Sequence, residues 1–155
     1  MKLYYAPLSR AVRVAWLLEE LGLDYEVEKF SIGDKSLREP EHKARHPLGR
    51  VPVLEDGKVT IHESGAIIDY LLRKFESQKL TPDFSDKNFP QYLQWFHFAE
   101  GMIMPPLNTL VVETVLLPPE RKSETNVKRA EKLLEQIINV VELRLTEEKF
   151  LAGDF

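Results

Sequence analysis

Three short segments carry residue types able to bind and activate a small molecule. The first is Pro7-Leu8-Ser9-Arg10, with Arg13 close behind. Ser9 stands where a strand-like run gives way to a helical pattern, so its ordinary role is a helix N-cap. A chemical role also fits that place. A helix N-terminus favours anions and lowers the pKa of a nearby thiol, and a hydroxyl there donates to the thiolate. The second segment is Val51-Pro52. A proline at a strand start is tolerated because no ladder donor is needed there. A cis bond at that place would turn the N–H and C=O of Val51 outward, ready to pair with an extended peptide. The third is His62-Glu63-Ser64-Gly65, ordinarily a capping sequence with Ser64 as the cap. Chemically, the helix N-terminus and the Ser64 hydroxyl suit a carboxylate, and Glu63 suits an ammonium group. Together they match the α-amino-acid end of a small molecule.

Other chemistries find little support. His42 and His46 stand four apart and could share a helix face, but no third ligand matches and the neighbours are basic. A solvated surface is the expectation for both. His62-Glu63 does not open a zincin motif, because position 66 is Ala66. No Gly-rich phosphate loop and no Gly-x-Ser-x-Gly is present. The sequence has no cysteine, which excludes disulfides, thiolate metal sites and cysteine nucleophiles. With 21 Lys and Arg against 25 Asp and Glu, the net charge of -4 gives no large reward for binding nucleic acid or an anionic membrane. No secretory leader and no apolar run of membrane-spanning length is visible, so a cytoplasmic protein is expected.

The elements that must position these residues alternate at first. Lys2 to Tyr5 reads as a strand, and Ala11, Val14, Ala15, Leu18 and Leu21 follow helical spacing up to Gly22. Tyr25 to Lys29 alternates as a second strand, and Ser31 to His46 reads as loop plus a short helix. Val51 to Leu54 and Lys58 to Ile61 are two more strands, joined at Asp56-Gly57 as a hairpin. A helix from Ser64 places Ile67, Leu71 and Phe75 on one face. The order βαβαββα predicts a four-stranded mixed sheet covered by helices over 1–76. Residues 77–88 lack a period and read as a linker. From 89 to 155 the pattern is all helical. Tyr92, Trp95, Phe96, Ala99 and Ile103 form one stripe, core or subunit interface, ended or kinked at Pro105-Pro106. Val127, Ala130, Leu134, Ile137, Val141 and Leu145 form another. Two long helices make a thin core, so this domain is expected to be partial.

Three segments in fixed order closely resemble the N-terminal domain of cytosolic glutathione S-transferases of the serine type, of bacterial or fungal kind. They are Pro7-Leu8-Ser9-Arg10 with Arg13, His46 to Leu54, and His62 to Leu71. Trp16 to Tyr25 looks like that family's first helix and second strand. The resemblance covers residues 1–75 and continues more loosely, with Phe150 to Asp154 similar to the approach to the family's next helix. It implies a thioredoxin-like N-terminal domain followed by a helical domain.

It also implies roles. Ser9 would hydrogen-bond the glutathione thiolate, and the Val51 backbone would pair with the cysteinyl part, with Pro52 the cis proline behind it. Glu63 and Ser64 would hold the γ-glutamyl end, and Arg50 would flank the tripeptide. His46 stands where the family usually has asparagine, and Tyr5 is an alternative to Ser9 as thiolate donor. The implied activity is conjugation of glutathione, a co-substrate, to a hydrophobic electrophile by a detoxifying homodimer without a metal. The alternatives are glutathione-dependent peroxidase or isomerase chemistry on the same site, or a non-catalytic interaction module of the same fold.

Overall fold

The computed structural model describes residues 1–75 and 80–153. The chain divides into two compact units, Met1–Ser77 and Gln78–Phe155. Residues 77–79 of the expected linker lie outside the described residues.

In the first unit β1 (Lys2–Tyr5) is followed by α1 (Ala11–Glu20) and β2 (Glu26–Lys29). A 3₁₀ turn (Lys35–Arg38) leads into α2 (Pro40–Arg45), then β3 (Val53–Asp56), β4 (Val59–His62) and α3 (Ser64–Lys74). The strand order is β2-β1-β3-β4. β1 pairs parallel with β2 and antiparallel with β3, and β3 pairs antiparallel with β4. This is the expected mixed sheet. Successive side chains of a strand face opposite ways, and both faces of β1 are covered. Leu3 packs with Val14, Leu18, Leu54, Ile67 and Leu71 beneath α1 and α3. Tyr4 points the other way, against His42 of α2 and Phe30. Its hydroxyl donates to Glu55 (2.9 Å), and Arg45 of α2 both pairs with Glu55 (3.1 Å) and lies over the Tyr4 ring.

Local signals account for several ends. Gly22 takes the left-handed conformation (φ 62°), its N–H donates to the Glu19 carbonyl, and the Leu23 N–H reaches back to Leu18. This double closure ends α1 because glycine has no Cβ to clash there. The β3–β4 hairpin turns at Gly57 and Lys58, with Asp56 opposite Val59. The third strand begins at Val53, two residues after the sequence pattern suggested. Pro52 has no N–H for the ladder, so pairing starts beyond it.

In the second unit α4 (Phe89–Phe98) continues through a π-helical turn (Ala99–Ile103) into α5 (Met104–Val111) and a second π turn (Val112–Leu116). The helical path therefore runs through Pro105-Pro106 instead of stopping there. Both prolines fall in the first turn of α5, where the wide turn before them has already shifted the bonding to i−5: the Met104 N–H meets the Ala99 carbonyl. Missing N–H groups cost little at such a position. After a short 3₁₀ turn (Pro119–Arg121), α6 (Glu124–Glu147) buries Ala130 and Ile137. The predicted stripe holds to Val141, whereas Leu145 is exposed. Ser123 caps α6, accepting the Asn126 N–H. Buried Glu113 accepts from the Ser123 N–H (2.8 Å) and from Asn126 Nδ2 (2.7 Å), which holds its carboxyl below the usual range.

Candidate active site

The strand registers decide where the three chemical segments lie. Tyr4 of β1 is opposite Val53 of β3, and Val53 is opposite His62 of β4. β1 ends, β3 begins and β4 ends at one edge of the sheet. The Ser9 turn leaves β1 there, Val51-Pro52 enters β3 there, and Glu63-Ser64 leaves β4 there. Hydrogen-bonded strands stand about 4.8 Å apart, so three segments distant in sequence share one end of the unit.

Ser9 is half-buried and lies one residue before the cap position, which Arg10 occupies. The expected N-cap is thus displaced by one residue. Its hydroxyl still serves the helix start: it accepts the Ala11 N–H (3.1 Å) and donates to the Ala6 carbonyl (2.7 Å). Leu8, just before it, has φ 58° and is almost fully exposed. Tyr5 lines a separate groove with Val12, Trp16 and Tyr25. Arg13 is half-buried, and burial with the neighbouring Arg10 charge lowers its pKa.

The Val51–Pro52 peptide bond is cis, Pro52 is buried, and Arg50 is exposed. Glu63 occupies the cap position of α3 with φ 72°. A non-glycine residue in that region costs about 1–3 kcal/mol and persists only where its surroundings hold it. Here the Glu63 carbonyl already accepts the Ile67 N–H as the first helical bond. Glu63 makes no side-chain cap bond and is exposed, so its carboxylate is not spent on the helix. Ser64, the expected cap, is instead the first helical residue and is buried, and Glu63 holds the cap position.

The histidines are the main correction. His42 and His46 are 3% and 4% exposed, not solvated. His42 is the buried residue of α2, between exposed Glu41 and Lys43, while His46 caps the helix C-terminus in extended backbone, its N–H donating to the His42 carbonyl. His42 Nε2 lies 2.8 Å from the Arg50 carbonyl. His46 Nδ1 accepts the Leu48 N–H (3.2 Å), and its ring sits 4.5 Å from that of His62. Burial and then the His62 charge push the His46 pKa down, against the opposing pull of Glu63. Both rings thus brace the loop that leads to Val51. Among the described residues no group of three His, Cys, Asp or Glu is placed to hold a metal.

Residues 1–73 match the family model for the N-terminal domain of glutathione S-transferases. A maize protein, glutathione S-transferase 4, is 38% identical over the whole chain, which covers 70% of that relative. The chain belongs to the glutathione S-transferase family. A probable glutathione S-transferase of rice is 34% identical, again over the whole chain and 74% of the relative. The fold agrees with the family along its length. The crystal structure of a glutathione transferase homologue from Lodderomyces elongisporus, with two glutathione molecules per subunit, superposes with a TM-score of 0.88. It is 25% identical, over 99% of this chain and 75% of its own. The thioredoxin-like first unit followed by helices is the family architecture. No helix among the described residues is long and apolar enough to cross a membrane.

Proposed function

We propose that the protein is a serine-type glutathione transferase that binds reduced glutathione at this sheet end and presents its thiolate to an electrophilic carbon. The observation that carries the reading is the register-enforced meeting of the Ser9 turn, Val51 and Glu63-Ser64. Glutathione is an extended tripeptide with an α-amino-acid end and a thiol. Glu63 takes its ammonium group, while the Ser64 hydroxyl and the start of α3 take the carboxylate. The Val51 backbone pairs with the cysteinyl residue as a short added strand, Pro52 closes the wall behind it, and Arg50 flanks the chain. The thiol then meets Ser9 at the head of α1. There the helix dipole and one charge-assisted hydrogen bond favour the thiolate.

In the reaction the thiolate sulfur forms a bond to carbon, the leaving group departs with the bonding pair, and the thiol proton goes to solvent. The protein contributes position and thiolate stabilisation, with no covalent enzyme intermediate. Residues 1–76 form the glutathione-binding domain, 77–88 the linker and 89–155 the helical domain. A homodimer working in detoxification, located in the cytoplasm, fits the family.

Calorimetric titration with reduced glutathione tests the reading. Saturable binding, weakened at least about tenfold by Glu63→Ala, is expected, because a lost charge-assisted contact costs about 1.5–3 kcal/mol. Absence of binding by the folded dimer would favour a docking module of the same fold.

A further inference from the structure

We propose that His42 is a positioning residue that aims the Val51 N–H at the ligand. The inference rests on the glutathione reading of the same site and adds the side chain that orients its peptide-pairing backbone.

His42 is buried on the α2 side of the sheet, and its Nε2 lies 2.8 Å from the Arg50 carbonyl oxygen. A carbonyl only accepts, so Nε2 carries the proton. The ring plane is set by two aromatic edges. Tyr4 lies 5.8 Å away at 61°, and Phe30 5.4 Å away at 60°. Tyr4 is itself tied to Glu55, so the frame around the ring is held from the sheet.

The other ring nitrogen shows what the histidine is there for. Nδ1 is buried without a hydrogen-bond partner. A buried polar atom left unpaired is costly. A phenyl ring would fill the same aromatic niche without that cost, so the Arg50 bond is what histidine adds here.

That bond fixes more than a carbonyl. The Arg50 C=O and the Val51 N–H belong to one peptide unit, which is trans. The unit is planar, so its C=O and N–H point in opposite directions. Anchoring the oxygen on α2 therefore turns the Val51 N–H away from α2. Val51 lies ahead of β3, whose ladder begins at Val53. Its N–H is thus set at the mouth of the sheet end, where an extended peptide would offer a carbonyl. Without the His42 donor, the Arg50–Val51 plane is free to rotate, and the N–H loses its aim.

The test is calorimetry on the full chain with His42→Phe, which keeps a ring for Tyr4 and Phe30, and His42→Gln, which restores a donor. Two probes are used. Reduced glutathione has a cysteinyl carbonyl, whereas γ-glutamylcysteamine has the γ-glutamyl end and the thiol but no such carbonyl. His42→Phe is expected to weaken glutathione about tenfold, the scale of one hydrogen bond, and to leave γ-glutamylcysteamine unchanged. His42→Gln is expected to regain most of the loss. Equal losses for both probes would reduce His42 to a packing residue and overturn the proposal, as would no loss at all. A folded wild-type chain that binds no glutathione would instead overturn the glutathione reading, and the proposal with it. If His42→Phe does not fold, the imidazole ¹⁵N spectrum of the wild-type chain decides. An Nε2-protonated tautomer supports the bond, and an Nδ1-protonated one overturns it.

Discussion

Replacing Ser9 with alanine separates its two roles. In the structure the Ser9 hydroxyl donates to the Ala6 carbonyl at 2.7 Å and accepts the Ala11 N–H at 3.1 Å. To stabilise a thiolate, its proton must swing off Ala6 and onto sulfur. A neutral hydrogen bond is worth about 0.5–1.5 kcal/mol net, and one to a charged group about 1.5–3 kcal/mol. The gain from the exchange is the difference, about 1–1.5 kcal/mol. One pKa unit corresponds to about 1.4 kcal/mol, so in the proposed role Ser9 would lower the bound thiol pKa by about one unit. Ser9→Ala should therefore cut kcat/KM about tenfold at neutral pH and move the rate–pH profile about one unit upward. The two proteins should converge at high pH, where both hold thiolate. The second role reads out independently. Losing the acceptor at the start of α1 costs about 1 kcal/mol, or several degrees in Tm. The assay is glutathione conjugation to an activated aryl chloride from about pH 6 to about pH 10, bracketing a thiol pKa of about 8.5. Melting curves are run on the same samples. Ser9→Thr, which keeps a hydroxyl, should retain most of the rate. A variant that melts earlier but keeps the wild-type rate–pH profile would refute the argument. Ser9 would then be a turn residue only.

Two further outcomes follow from the loop before Val51. His46 accepts the Leu48 N–H only while neutral, and the fold holds its pKa below the ordinary 6.5, chiefly by burial and then by His62. The unfolded chain takes up the proton first as pH falls. Stability is therefore complete above about pH 6.5 and declines from there towards the lowered native value. Melting temperature against pH should show this fall in the wild type and lose its His46 part in His46→Asn, whose amide oxygen accepts the same N–H without titrating. A wild-type and variant that track each other through this window would contradict the assignment. Gly49 has φ 61°, and a Cβ there would meet the Leu37 carbonyl oxygen, whereas Gly57 has the same φ with open space around it. Gly49→Ala should cost the left-handed penalty of about 1–2 kcal/mol plus a steric displacement that also weakens glutathione binding, while Gly57→Ala should show the penalty alone. Equal losses of stability in denaturant titrations of the two variants would remove the steric part of the argument.

Much of the fold is legible in short windows because its causes are local. A short apolar and aromatic run marks β1 to the residue, and the 3.6-residue period marks α1, α3 and α6. Gly22 and Gly57 announce the end of α1 and the hairpin through their tolerance of positive φ. The order of the Ser9, Val51-Pro52 and Glu63-Ser64 segments was enough to point to a family. Other features depend on partners outside any short window. The Asn126 cluster at the head of α6 depends on Glu113, ten residues before the Ser123 cap. The π turn that lets the helix run through Pro105-Pro106 is a matter of how the whole segment packs, and no single residue declares it.

The site divides the same way. Residue types and spacing were sufficient to nominate Ser9, Val51, Pro52, Glu63 and Ser64, because each sits at the head or foot of an element that its neighbours specify. That they share one end of the unit is a property of the register between β1, β3 and β4, which pairs residues about fifty apart in β1 and β3. His42 and His46 were misread because burial of a polar ring depends on what waits inside. A histidine four residues from another on a charged helix looks solvated until the Arg50 carbonyl and the His62 ring are in place to receive the pair. Local chemistry chose the residues of this site; only tertiary pairing could make them neighbours, because the contacts that brace them join segments that meet only once the sheet has closed.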